Sequence, residues 1–400
     1  MLPTPRPYSA PDIDFDDYES ALREKTDGEL RAANLVLTTI RKPWLMRAGR
    51  MFARAGLALR IPGTVGALER TVFRQFCGGT NLEEAIERTG RMFESGVASI
   101  LDYAVEGEDD EGDFAAVTAE ILRGVDAAID RPDVAFVAVK LTGIARFDLL
   151  EKIDSGGELD DDERAELARA EERLDQIASH AARGGTSVFV DAEHSWVQDA
   201  IDGVVERAME AHNRERAVVH TTVQLYLTSG LSHLEQLVAR ARAGGYRFGA
   251  KLVRGAYMEL ERERAADRGE ESPIQPDKAA TDDAYDRALT FCLENLETVD
   301  VCAATHNVAS TQHLIDEMAR LGIDPSDQRV TASQLLGMFD RITVPLARNG
   351  YNALKYVPYG GVRDAFPYLL RRADENRSVA DQLASELFAV RTEIRRRKSL

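Results

Sequence analysis

"DDDERAELARAEERLDQIASHAARGGTSVFVDAE" spans residues 160–193 and holds the repeating unit of the chain. A helical stretch, long enough to cross over a sheet, runs into a short β-branched run that ends in two carboxylates. Seven more such runs lie on either side: "VASILDYAVEGE" (97–108), "VAFVAVKLTG" (134–143), "AVVHTTVQLYL" (217–227), "RFGAKLVRGAY" (247–257), "VDVCAATHN" (299–307), "QRVTASQL" (328–335) and "NALKYVPYG" (352–360). Helical patterns such as "YDRALTFCLENLE" separate most of them. Near-continuous apolar strands covered by helices mean a parallel sheet. Eight βα units predict an α/β fold of the (β/α)8, TIM-like barrel class. An open doubly wound sheet is the alternative, but no strand is followed by GxGxxG.

Residues 1 to about 16 are proline-rich and acidic and read as a loose tail. From about 17 to 95 the pattern is helical, as in "DYESALREKTDGELRAANLVLTTI" and "NLEEAIERTGRMFESG". The expected division is an N-terminal tail and helical segment, 1–95, and a catalytic barrel with C-terminal helices, 96–400.

The 400 residues are 44% hydrophobic, enough for a large core. The 68 acidic and 50 basic residues leave a net charge of −18, which argues against a nucleic-acid partner. Only eight lysines occur, and so acidic a surface suits a salt-rich cytoplasm. Cys77, Cys292 and Cys302 are far apart without metal spacing. The start of the chain lacks a signal-peptide pattern, and no apolar run is long enough for a membrane span. The seven histidines form no ligand motif, so no metal is expected.

In such a barrel the chemistry sits at the C-terminal ends of the strands. Those ends carry Glu106, Lys140, Asp191 with Glu193, Gln224, Lys251 with Arg254 and Tyr257, Thr305 with His306 and Asn307, Gln334, and Tyr356 with Tyr359. Each alone fits a surface or structural role as well as a functional one. Beyond the last strand, "YLLRRADEN" (368–376) reads as a helix with Tyr368, Arg371, Arg372 and Glu375 on one face. By itself that face is either solvated, with an Arg371–Glu375 pair, or a bidentate clamp for a small carboxylate. No GxSxG, HExxH or Walker loop is present.

Taken together, "KLVRGAY", "ATHN", "KLTG", "VDAE", "QLYL" and "YLLRRADEN" resemble the proline dehydrogenase family, in the same order over roughly residues 76 to 377. The tail "DQLASELFAVRTEIRRRKSL" is more similar to the single-function form than to the version fused to an aldehyde dehydrogenase. The resemblance implies a (β/α)8 barrel holding FAD at its C-terminal rim. It implies oxidation of L-proline to 1-pyrroline-5-carboxylate by hydride transfer to the flavin, with the electrons passed to a membrane quinone. A cytoplasmic protein with peripheral contact to the inner face of the membrane is then expected.

The roles it implies are specific. Arg371, Arg372 and Lys140 hold the substrate carboxylate, and Glu106 pairs with the first arginine and closes the site. Tyr257, Tyr356, Tyr368 and Leu335 wall the pyrrolidine ring. Lys251 lies near the reactive edge of the flavin, at a position that is arginine in some relatives. Asp191 holds Tyr356 and Lys140. Ala192, Gln224, Val253, Gly255, Ala256, Lys278, Thr305, His306 and Glu375 fall at cofactor positions, and Glu375 is also spaced to orient the clamp. Two departures are Met258, where some relatives have an aromatic residue, and the less aromatic approach to Gln334. The nearest rival is a hydroxyproline dehydrogenase, against which Tyr356 argues by crowding the ring carbon that would bear the hydroxyl. A carboxylate-binding flavoprotein without turnover is a further alternative.

Overall fold

The computed structural model describes residues 11–42, 51, 61, 63–104, 110–366, 368–369 and 380–399, with side chains from 384 in the last stretch. Eight parallel strands close into a barrel in chain order: β1 Ala98–Tyr103, β2 Val134–Lys140, β3 Ser187–Asp191, β4 Val219–Gln224, β5 Phe248–Val253, β6 Val299–Ala304, β7 Val330–Leu335 and β8 Ala353–Tyr359. Each lies inside one of the β-branched runs. Closure rules out the open sheet.

The stretch at 160–193 shows how the sequence builds one unit. Asp160 and Glu163 form a reciprocal capping box at the start of the helix Asp161–Gly184. Ala170, Leu174, Ile177, Ala178 and Ala181 make its buried stripe. Gly185, at φ +75°, ends it in the left-handed conformation that glycine adopts without strain. In the following β3, Val188, Phe189 and Val190 are fully buried, as befits a strand covered on both faces. The β2–β3 register sets Lys140 directly beside Asp191.

The molecule comprises two compact units. The first centres on Val105–Thr305 and Ala309–Ala332 and holds β2 to β6. Inside it, Phe136 stacks on Phe189 at 4.1 Å, and His220 meets both rings edge-on. Gly249 makes this layer possible, since a Cβ there would lie 2.5 Å from the His220 ring. Burial pushes the His220 imidazole down to about 4, so it is neutral. The Lys251 ammonium stands 5.3 Å from the centroid of Phe189.

The second unit takes in Asp12–Ala104, His306–Val308 and Ser333–Leu400, and so joins β1 and β8 to the N-terminal helices. The C-terminal helix Ala380–Lys398 packs on the helix Asp27–Ile40. Arg391 donates to Asn34 Oδ1 at 2.9 Å and Thr38 Oγ1 at 3.1 Å. Arg397 donates to the carbonyls of Lys25 and Leu22. No helix among the described residues is long and apolar enough to cross a membrane.

Candidate active site

In the first unit the strand ends bring together much of what the sequence singled out. Lys251, on β5, is 5% exposed and forms an ion pair with Asp191 at the end of β3. Asp191 is half-buried, and its carboxylate offsets the desolvation cost of the buried ammonium. Lys140, half-buried, is the register neighbour of that aspartate.

Beside the pair lies a buried polar network. The Glu193 carboxylate accepts from Thr142 Oγ1 at 2.6 Å and from the Thr142 backbone N–H at 3.2 Å. Gln224 Nε2 donates to the Glu193 carbonyl at 2.8 Å. Gln224 is thus fixed by the loop after β3, through one of its two amide N–H groups. Ala192, between Asp191 and Glu193, is half-buried.

The turn after β5 has the character of an anion cradle. Val253, Arg254, Gly255 and Ala256 are all partly exposed. Gly255 sits at φ +137°, and a Cβ there would lie 2.5 Å from the Tyr226 ring, so only glycine fits and the backbone stays bare. In the sequence Arg254 reads only as a strand-end residue; in the structure it is a hub. It donates to Asp282 at 2.7 Å, Thr305 Oγ1 at 2.8 Å and Ser310 Oγ at 2.9 Å, and lies over the Tyr285 ring. Lys278 is exposed and pairs with the same Asp282. Burial works against the Asp282 charge, but Lys278 and Arg254 hold its carboxyl below the usual range.

Tyr257 ends the turn with its ring 4.2 Å from His194, which stacks in turn on Trp196. His194 gave no sign in the sequence, because nothing in its spacing marks a stacking partner. Met258 begins the helix Met258–Arg268.

In the second unit, His306 follows β6 and receives the Leu335 backbone N–H on Nε2 at 3.0 Å. Its ring lies flat on Phe339 at 4.8 Å and 12°. Gln334 is buried, with its amide oxygen taken by Thr343 Oγ1 at 2.7 Å, so it supports the fold here. Tyr356 and Tyr368 are buried and Leu335 is half-buried. Glu106, Arg371, Arg372 and Glu375 lie outside the described residues.

A bare glycine turn, the Arg254 and Lys278 cations and the small Ala256 form a donor set suited to a dinucleotide with a diphosphate bridge. Elsewhere, Asp199, Asp202 and His233 place potential ligand atoms within 4.8 Å of one another, a grouping that linear spacing does not reveal. The Asp202 carboxylate there is already engaged by Gln198, Thr221 and His233.

Residues 85–385 match the family model described as proline dehydrogenase. The chain is 39% identical over 235 residues to proline dehydrogenase 1, mitochondrial, of Drosophila melanogaster, covering 56% of this chain and 34% of that one. It is 38% identical over 243 residues to the hydroxyproline dehydrogenase of Xenopus laevis, covering 60% and 52%. Among solved structures, proline utilization A from Bdellovibrio bacteriovorus, inactivated by N-propargylglycine, superposes with a TM-score of 0.70 at 20% identity. That match covers 90% of this chain and 38% of the other and speaks to the fold alone. The chain thus spans about a third to a half of the length of these relatives. With the family model matched across most of its length and the barrel closed as expected, this chain belongs to the proline dehydrogenase family.

Proposed function

We propose that this protein is an FAD-dependent enzyme that oxidises L-proline to 1-pyrroline-5-carboxylate and passes the electrons to a quinone. The observation that carries this reading is the buried Lys251–Asp191 pair at the strand ends, with Lys140 beside it. A bound FAD would supply the hydride acceptor for the ring carbon next to the amine and the carrier of its electrons to the quinone.

The chain's own residues do the rest. Lys140, Arg371 and Arg372 hold the carboxylate, and their positive charge keeps the nearby amine neutral. Glu106 closes over the first arginine, and Glu375 steadies the clamp. Tyr257, Tyr356, Tyr368 and Leu335 wall the ring and exclude water. Lys251 supplies fixed positive charge at the reacting edge, and Asp191 keeps that ammonium in place. Val253, Gly255 and Ala256, with Ala192, Gln224, Thr305, His306 and Lys278, bind the cofactor. Electron transfer to a membrane quinone implies peripheral contact with the membrane surface.

The test is an absorbance spectrum of the purified protein, repeated without oxygen after addition of L-proline and, in parallel, trans-4-hydroxyproline. Bleaching of a flavin band by proline is the expected result. A protein that takes up no FAD defeats the proposal. Bleaching by hydroxyproline alone moves the activity to the second reading, which the Xenopus relative favours and the buried Tyr356 opposes.

Arg372→Met tests the clamp separately. Loss of a charge-assisted bond to the carboxylate, about 1.5–3 kcal/mol, is expected to raise KM for proline about ten- to a hundredfold. An unchanged KM removes Arg372 from the clamp.

A further inference from the structure

Phe339 has φ +55° and ψ +39°, the left-handed region that bulky residues avoid. Its side chain is 1% exposed. The segment around it is held from every side. Gly337, at φ +77°, packs so closely that a Cβ would lie 1.9 Å from the Gln75 carbonyl, and Gln75 Nε2 donates to the Gly337 carbonyl at 2.6 Å. Lys355, 3% exposed, donates to the carbonyls of Met338 and Leu335 and pairs with Asp340 at 2.9 Å. Lys25 holds the same carboxylate at 2.7 Å. Surroundings this restrictive are what keep a residue in a sparsely populated conformation.

A glycine or asparagine would make this turn without strain. A phenylalanine there implies that the ring is needed, and its flat contact is with His306. The same segment also spends a backbone donor on that imidazole, since Leu335 N–H points to Nε2. A nitrogen that accepts a hydrogen bond carries no proton, so the proton sits on Nδ1.

We infer that Phe339 is a positioning residue: its strained backbone presses the ring onto His306 and fixes that imidazole in one plane as the Nδ1–H tautomer. The proposal rests on the flavin reading only for what His306 then serves, namely presenting an N–H donor to the cofactor.

The experiment uses the full chain with 15N-labelled histidine, free of FAD, and His306→Asn to assign the signal. The parent protein is expected to show the Nδ1–H tautomer for residue 306. Phe339→Leu keeps most of the volume but loses the flat ring; Phe339→Gly loses the ring and relieves the backbone. Both are expected to show mixed tautomers, and both to weaken FAD binding about two- to tenfold by equilibrium dialysis. Tautomer signals identical to the parent in both variants overturn the inference. Mixed tautomers with unchanged FAD affinity support the role of Phe339 while removing His306 from the cofactor site.

Discussion

Lys251→Met is expected to leave a folded but clearly destabilised protein that reacts with proline about a hundred to a thousand times more slowly. Two effects add. The first is on stability. Lys251 is buried and pairs with the half-buried Asp191, so removing the lysine takes one charged partner from that carboxylate, at a cost of about 1–3 kcal/mol. The double variant Lys251→Met with Asp191→Asn removes both charges and is expected to recover much of that loss. The second is on rate. A preorganised cation at the place where negative charge develops is worth about 10²–10³ in turnover. Lys251→Arg, which matches the arginine of some relatives, keeps the charge and is expected to retain most of the activity. Urea midpoints and stopped-flow flavin reduction separate the two effects. A Lys251→Met midpoint equal to the parent's denies the buried pair its structural weight. A parental reduction rate in the same variant denies Lys251 its place beside the cofactor.

The barrel was legible because strand and helix signals are local. Each β-branched run is nearly continuous, each crossover helix is periodic, and both patterns can be counted along the chain. The ends of the runs were less so. "LTG", "LYL", "RGAY" and "THN" look like strand tails, but the ladder stops before them. At β5 the reason is plain: the chain turns at Gly255 in a conformation no strand can hold.

Of the candidate site, the sequence shows which polar residues stand at strand ends, Lys251 and Asp191 among them, but not that these two pair. The site was illegible where a role depends on distant partners. Arg254 meets Asp282, Thr305 and Ser310, which only the closed fold brings near. Phe339 reads as an ordinary residue in "LGMFD", since nothing in its type announces a left-handed backbone. Lys355 and Glu386 read as solvated charges, one within a strand and one on a polar helix, yet both are buried near Asp340.

Glu386 gives the protein a distinctive pH dependence. It lies on the helix Ala380–Lys398, is 4% exposed, and its Oε2 has no hydrogen-bond partner among the described residues. Burial and the charge of Asp340 push its carboxyl from 4.5 up to about 7, against the opposing pull of Lys355, Lys25 and Arg341. Between those two values the folded protein keeps a proton that the unfolded chain has released. Stability therefore falls as pH rises through that window, and levels off above it. At about 1.4 kcal/mol per pH unit, the loss amounts to about 3 kcal/mol. Asp340 acts oppositely and elsewhere. Lys25 and Lys355 overcome its burial and hold its carboxyl low, so its contribution is present above pH 3.8 and is lost only in stronger acid. Glu386→Gln, which keeps shape without charge, is expected to match the parent near pH 4.5 and to exceed it by about 3 kcal/mol at pH 8. Urea midpoints at pH 4.5, 6, 7 and 8 for both proteins measure the difference, and other titrating groups cancel in it. A difference that stays constant with pH means that Glu386 carries its charge in the folded protein. In that case the lysines at Asp340 serve two carboxylates rather than one.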